Sequence, residues 1–453
     1  MVVSGDSSLP RPPHVALFAF PFGTHVAPLY SLARALAAAA PAAIFSFVST
    51  AKTLESLPRI GGNLRLLPFE EEIPDGGSSA GFEEVIGKFL EAAPVKIRAA
   101  AKAATADSGG IPVSCVVSDA FMWMADFVAE EMGVPWVTLF PGFPLALLAH
   151  AHTDDLRSHF ESGDKVMPPH ADKLLDFIPG LTSFRFCDLP EGIIFGDRNS
   201  KFALNIDNMV HRIPRAAAII MPTLASLEPD STFSATLNLT LPIGPLNRLS
   251  PPPSSPDKEN CLPYLDSHEY SSVVYVAFGT LSVLSPTELA ELAHGLEDSG
   301  TPFLWSLKEE LRSNLPEGFL ERTRLKGKMV NWAPQMSVLN HPAVGVFVTH
   351  CGWNSTLESI MSDMVMLCRP IFAEQRMTAR AVESMLGVGT NLDSGITKDA
   401  FVRSINSILK GDDGKRMRKR VVEIRERTEN AMLPGGSFSE NFKSLVELVC
   451  SKC

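Results

Sequence analysis

A histidine able to take a proton and a carboxylate able to steer it are the first chemistry in this sequence. His25, in PFGTHVAP, follows a short apolar run and precedes an Ala/Leu-rich stretch. Asp119, in VVSDAF, closes another apolar run. A phenol or sugar hydroxyl attacks well only when a base removes its proton as the new bond forms, and imidazole suits that task near neutral pH. A carboxylate on the far ring nitrogen fixes the tautomer and stabilises the imidazolium, as in a triad without its serine. Either residue alone fits a structural role equally well.

A second group suits a nucleotide diphosphate. In THCGWNSTLES, His350 ends an apolar run, Cys351 and Gly352 make a tight turn, and Trp353–Ser359 open a helix. Asn354 and Ser355 then lie at a helix N-terminus, where free N–H groups and the dipole favour phosphate. Glu358 shares a helix face with Asn354 and can accept from ribose hydroxyls. Trp332 offers a flat ring for a base. Neither half carries GxGxxG after its first strand, and there is no GxxxxGK[ST] loop, so dinucleotide oxidoreductases and P-loop enzymes lose their sequence support. A glycosidase needs two carboxylates flanking the bond, and no convincing pair is present.

The elements that must position these residues alternate between strand and helix. Strands are expected at His14–Phe20, Ala42–Val48, Asn63–Phe69, Pro112–Ser118 and Val134–Phe140, with helices at Pro28–Ala39 and Phe82–Ala104. After the Pro/Ser-rich run LSPPPSSPDKEN the alternation restarts, with strands at Ser272–Phe278, Pro302–Leu307, Lys328–Trp332, Val344–Thr349 and Met364–Arg369. This predicts an α/β chain with parallel, doubly wound sheets. The expected division is an N-terminal domain over 1–248, a linker at 249–260, a C-terminal domain over 261–434 and a closing helix in 435–453 that packs back on the N-terminal domain. In a doubly wound sheet, ligands bind where the first and fourth strands end. His25 and Asp119 fall at one such point, and Gly279, Thr280 and His350 at the other.

Composition narrows the partners. The 453 residues carry a formal charge of −11 without a long basic run, which argues against nucleic acid. The polar helix expected at Lys415–Thr428 reads as a solvated face. No apolar run is long enough to span a bilayer, and no signal peptide is evident at the start. The 7 cysteines are scattered, as expected of a reducing cytosol.

The segment from Trp332 to Gln375, beginning WAPQ and ending FAEQ, resembles the signature box of plant secondary-product UDP-glycosyltransferases. That resemblance implies a GT-B fold of two facing Rossmann-like domains. It also implies a UDP-sugar co-substrate and no metal, an expectation that the absence of any Asp-x-Asp shares. By position, Trp332 and Ala333 would hold uracil, and Gln335 and Glu358 ribose. His350, Asn354, Ser355 and Thr280 would hold the diphosphate, with Gly352 and Ser306 also in the donor site. Trp353, Glu374 and Gln375 would face the sugar hydroxyls. The implied reaction is an inverting displacement with His25 as base and Asp119 behind it, by a monomer in the cytoplasm.

HVALFAFPFGTHVAPLYSLARAL, NMVHRIPRAAA and LCRPIFAEQ are similar to the flavonoid 3-O-glycosyltransferase branch. The implied acceptor is a flavonol or anthocyanidin against Phe22, Gly23, His25 and His150, and Gln375 implies glucose. Five residues depart from the pattern: Val365 for Pro, Asp363 for Gly, Thr378 for Asn, Pro222 for Asn and Pro141 for Thr. The changes near the sugar leave the donor sugar open. Transfer to another small phenol, alcohol or acid, transfer to a carbon, and a catalytically weak UDP-sugar-binding protein are the alternatives.

Overall fold

The computed structural model describes residues 11–59, 61–69, 82–159, 171–227, 236–237, 239–251, 255–280 and 284–451. The first ten residues, the middle of the Pro/Ser run and Cys453 lie outside the described residues, as do the expectations placed on them.

Seven strands form the first sheet: β1 (His14–Phe18), β2 (Ile44–Ser49), β3 (Leu64–Pro68), β4 (Cys115–Asp119), β5 (Trp136–Leu139), β6 (Ala218–Pro222) and β7 (Thr240–Ile243). Their order is β3-β2-β1-β4-β5-β6-β7. The second sheet holds β8 (Val273–Ala277), β9 (Phe303–Ser306), β10 (Gly327–Val330), β11 (Val344–Thr349), β12 (Met366–Cys368) and β13 (Gly389–Asn391), in the order β10-β9-β8-β11-β12-β13. Every pairing is parallel. The central strands β1, β4, β8 and β11 are buried throughout and mostly apolar because both faces are covered. On β1, Val15 and Leu17 pack with helix α1 (Val26–Ala39), while Ala16 and Phe18 pack with α2 (Phe82–Asp107) on the other face.

Three short strands escape prediction for physical reasons. β6 and β7 each contain a proline, and β7 tolerates Pro242 because it is an edge strand. β13 is a three-residue GTN segment with no apolar pattern to detect.

The remaining helices that bear on the site are α3 (Pro144–Ala151), α4 (Lys201–Arg212), α5 (Trp353–Ile360), α6 (Gln375–Arg380), α7 (Asp412–Met432) and α8 (Ser437–Val449). Helix α8 buries Leu445 and Val449 against β7, and Asn441 donates to the Pro242 carbonyl at 2.8 Å. Burying each of these side chains contributes about 2 kcal/mol, enough to hold the chain end on the first sheet. One apolar cluster runs across both halves, joining Phe143 and Leu148 to Trp353, Leu357 and Met377. Among the described residues no helix is long and apolar enough to cross a membrane.

Candidate active site

The carboxyl ends of both sheets face one cleft. On the first sheet, β1 leads through Phe22, Gly23 and Thr24 into His25, and β4 ends on Asp119. His25 Nδ1 lies 2.9 Å from Asp119 Oδ2. Asp119 is fully buried, and its Oδ1 accepts the Phe121 N–H at 2.9 Å, so the carboxylate is fixed before it orients the ring. That leaves Nε2 for a substrate proton. Phe121 and Phe20 meet the imidazole edge-on, with centroids 4.6 and 5.1 Å away. Phe22 and Phe89 extend the aromatic wall, and Phe202 stacks on Phe121.

On the second sheet the five strands β8–β12 deliver Gly279-Thr280, Ser306, Trp332, His350 and Glu374-Gln375 in turn to the same edge. The ladder aligns Ala277 with Ser306 and with Thr349, so these residues start level. Cys351, at φ 64, makes the left-handed step that turns β11 into α5. A non-glycine residue held there is strained by about 1 kcal/mol or more, as is common at functional turns. Helix α5 has no side-chain cap, so the N–H groups of its first turn remain free for an anion.

His350 lies directly over two glycines. A Cβ on Gly279 or Gly352 would fall 2.9 or 2.6 Å from its ring, which accounts for glycine at both positions. Burial lowers its pKa to about 4, so the imidazole is neutral and acts as a hydrogen-bonding group rather than a cation. Its Nδ1 is buried with no hydrogen-bond partner among the described residues.

The two residues expected at ribose are already joined. Gln335 Nε2 donates to Glu358 Oε2 at 2.7 Å and to Ser355 Oγ at 3.0 Å. Burial pushes the Glu358 pKa upward and the Gln335 contact opposes it. Trp332 is 59% exposed, a bare ring beside the buried Ala333. Burial likewise raises the Glu374 pKa, against the opposing pull of His25 across the cleft. Gln375 is buried, and its Oε1 accepts the Ile371 and Phe372 N–H groups, shaping the loop before α6.

Not every expected residue offers its side chain to a ligand. The Trp353 indole is buried between the halves and donates to the Pro222 carbonyl at 2.8 Å, leaving its backbone N–H at the start of α5. Asn354 spends one amide hydrogen on the Thr24 carbonyl at 3.2 Å, which ties α5 to the loop carrying His25. His150 is only 9% exposed and opens on a cavity of about 10 Å³ lined by Thr153, Arg157 and Ile206, room for one water.

Four departures from the family pattern have structural accounts. Asp363 sits at φ 56, where glycine is free of strain, and Arg425 holds its carboxylate at 2.7 Å. The Pro222 position works through its carbonyl, which any residue supplies. Thr378 is buried, with its hydroxyl turned back on the Glu374 carbonyl at 3.2 Å. Val365 fills an apolar cluster.

Sequence reading missed the contacts that join the halves beyond α6. Arg185 bridges Asp188 at 2.8 Å and Asp393 at 2.9 Å, and the Arg376 guanidinium lies over the Phe195 ring. Partners some two hundred positions apart, outside any motif, leave no spacing signal.

Burial also makes a pH prediction. The His150 pKa is lowered from 6.5 to about 4 by desolvation, with Arg157 adding to the effect. Between those values the unfolded chain binds the extra proton, so this contribution is full above pH 6.5 and lost as pH falls to 4. At about 1.4 kcal/mol per pH unit, it amounts to roughly 3 kcal/mol. Glu358 and Glu374 titrate in the opposite sense, so the test is differential. The stability gap between the wild type and His150→Gln, from chemical unfolding, should narrow by about that much from pH 6.5 to 4.

Two parallel sheets facing across a cleft, with an anion-ready helix on one wall and a histidine–aspartate pair on the other, define a GT-B glycosyltransferase. The chain belongs to the UDP-glucoronosyl and UDP-glucosyl transferase family, whose family model matches residues 62–425. It is 46% identical over 447 residues to a myricetin 3-O-rhamnosyltransferase of Crocosmia x crocosmiiflora, covering 96% of this chain and 97% of that one. It is 41% identical to an anthocyanidin 3-O-glucosyltransferase of Vitis vinifera over 96% and 97% of the two chains. A crystal structure of a UDP-glucose:anthocyanidin 3-O-glucosyltransferase in complex with UDP superposes with a TM-score of 0.90 at 35% identity, covering 98% of this chain and all of that one.

Proposed function

We propose that this UDP-glycosyltransferase moves glucose from UDP-glucose to the 3-hydroxyl of a flavonol or anthocyanidin, with inversion. The observation that carries the proposal is the His25–Asp119 pair at 2.9 Å, set across the cleft from Glu374 and the start of α5. His25 Nε2 takes the acceptor proton while the acceptor oxygen attacks the anomeric carbon. The bond from that carbon to the phosphate oxygen breaks, and UDP leaves with the electron pair. The charge gathering on the leaving phosphate meets the α5 N–H groups and neutral His350. Trp332, Gln335 and Glu358 anchor uridine. Phe22, half-buried and backed by the buried rings of Phe20, Phe89 and Phe121, suits contact with a flat polyphenol. Action as a cytosolic monomer without a metal cofactor rests on family resemblance.

A second sugar has support of its own. The segment Phe140–Phe143 leaves β5 beside Asp119, and a Cβ on Gly142 would lie 3.5 Å from a Glu374 oxygen. Pro141 in this wall lacks the hydroxyl and the N–H that a Thr would offer, so it gives a sugar hydroxyl aimed there no donor and only a carbonyl to meet. A 6-deoxyhexose loses nothing by that, and the Crocosmia relative is named a rhamnosyltransferase.

The test sets UDP-glucose, UDP-galactose and UDP-rhamnose against a flavonol, an anthocyanidin and a simple phenol, with products read by mass spectrometry. A flavonoid hexoside is expected. A higher kcat/KM with UDP-rhamnose would favour the second sugar, and Pro141→Thr should then shift the ratio toward glucose by about tenfold. No product from any pair, with UDP still bound, would leave a binding protein.

A further inference from the structure

We infer that Glu259, at the end of the inter-sheet linker, is a positioning residue for the nucleotide base. This rests on Trp332 being the uracil platform. The exposed Trp332 ring is held by little packing, so its aim depends on the backbone that carries it. Two consecutive N–H groups of that backbone end on one carboxylate. Asn331 N donates to Glu259 Oε1 and Oε2 at 3.0 and 3.1 Å, and Trp332 N donates to Oε1 at 3.0 Å. Hydrogen bonds to an ionised acceptor are about twice as strong as neutral ones. The residues that follow, Ala333 and Pro334, are buried, so the loop is fixed on both sides of the ring.

The linker is folded to present this carboxylate. Asp257 caps the helix Cys261–Asp266, accepting the Cys261 and Leu262 N–H groups at 2.8 Å each. Asn260, at φ 53, makes the left-handed step between the cap and the helix. That step frees Glu259 from capping and lets it reach across to the end of β10. The other end of the linker is tied to the first half, where Arg34 donates to the Pro251 carbonyl at 2.9 Å. The Pro/Ser run therefore does more than separate two sheets: its acidic end sets the platform on which a base stacks.

The experiment measures UDP affinity by calorimetry and donor KM and kcat for the wild type, Glu259→Ala, Glu259→Gln, Trp332→Ala and the double variant Glu259→Ala/Trp332→Ala. Glu259→Ala should weaken UDP and raise donor KM by about tenfold, with kcat and acceptor KM changed by less than about twofold. Glu259→Gln, whose amide oxygen still accepts, should recover most of the affinity. In the Trp332→Ala background, Glu259→Ala should cost little more, because the platform is already gone. Unchanged affinity in Glu259→Ala, or losses that add in full in the double variant, would overturn the inference. If Glu259→Ala fails to fold, a loss of UDP affinity in Glu259→Gln larger than in Trp332→Ala would do the same. A wild type that does not bind UDP would instead remove the platform reading itself.

Discussion

His25→Ala lowers kcat by about 10²–10⁴-fold, the usual contribution of a positioned general base, and leaves UDP affinity within about twofold. The separation follows from where the residue sits. His25 follows β1 of the first sheet and meets Phe20 and Phe121, while the residues proposed to hold uridine all come from the second. No described hydrogen bond runs from its ring to that sheet, so removing it leaves the donor pocket standing. Asp119→Asn should cost less than His25→Ala, because the buried amide retains a hydrogen-bonding group beside Nδ1 but no longer stabilises the imidazolium. Single-turnover kinetics with saturating UDP-sugar separates these effects from binding. Wild-type rates in His25→Ala would remove it from the chemistry.

His350→Ala should fail differently, losing about 10²-fold in kcat and about tenfold in UDP affinity. Burial lowers its pKa to about 4, which favours a neutral ring that stabilises the leaving diphosphate by hydrogen bonding. The ratio of variant to wild-type kcat should therefore stay flat from about pH 5.5 to 8.5, a range in which the ring does not titrate. A ratio that rises with pH across neutrality, as the wild type alone loses a charged ring, would mean a cationic imidazole and a different role. Because the α5 N–H groups remain in the variant, residual donor binding should persist. Full UDP affinity would show that the ring does not meet the phosphates.

The parts of this site that lie at strand ends were legible in the sequence. His25 and Asp119 are far apart in the chain, yet topology brings them together because β1 and β4 are neighbours. The donor residues follow the same logic on the second sheet. Packing across the halves was not legible. The Trp353 indole reads as a sugar contact by position, but it meets a carbonyl on β6, a strand with no clear sequence signal. His150 sits on the inward face of α3, where periodicity cannot distinguish a ligand from a buried side chain. Asp363, a departure from glycine, keeps the left-handed backbone of that position and gains Arg425 as a partner.

The most direct measurement is the anomeric configuration of the product, read by proton NMR coupling at the sugar carbon after wild-type turnover of UDP-glucose with a flavonol. Direct displacement by a hydroxyl that His25 deprotonates converts the α-linked donor into a β-O-glucoside. An α-glucoside would require a covalent or front-face route and would contradict direct displacement by the hydroxyl that His25 deprotonates.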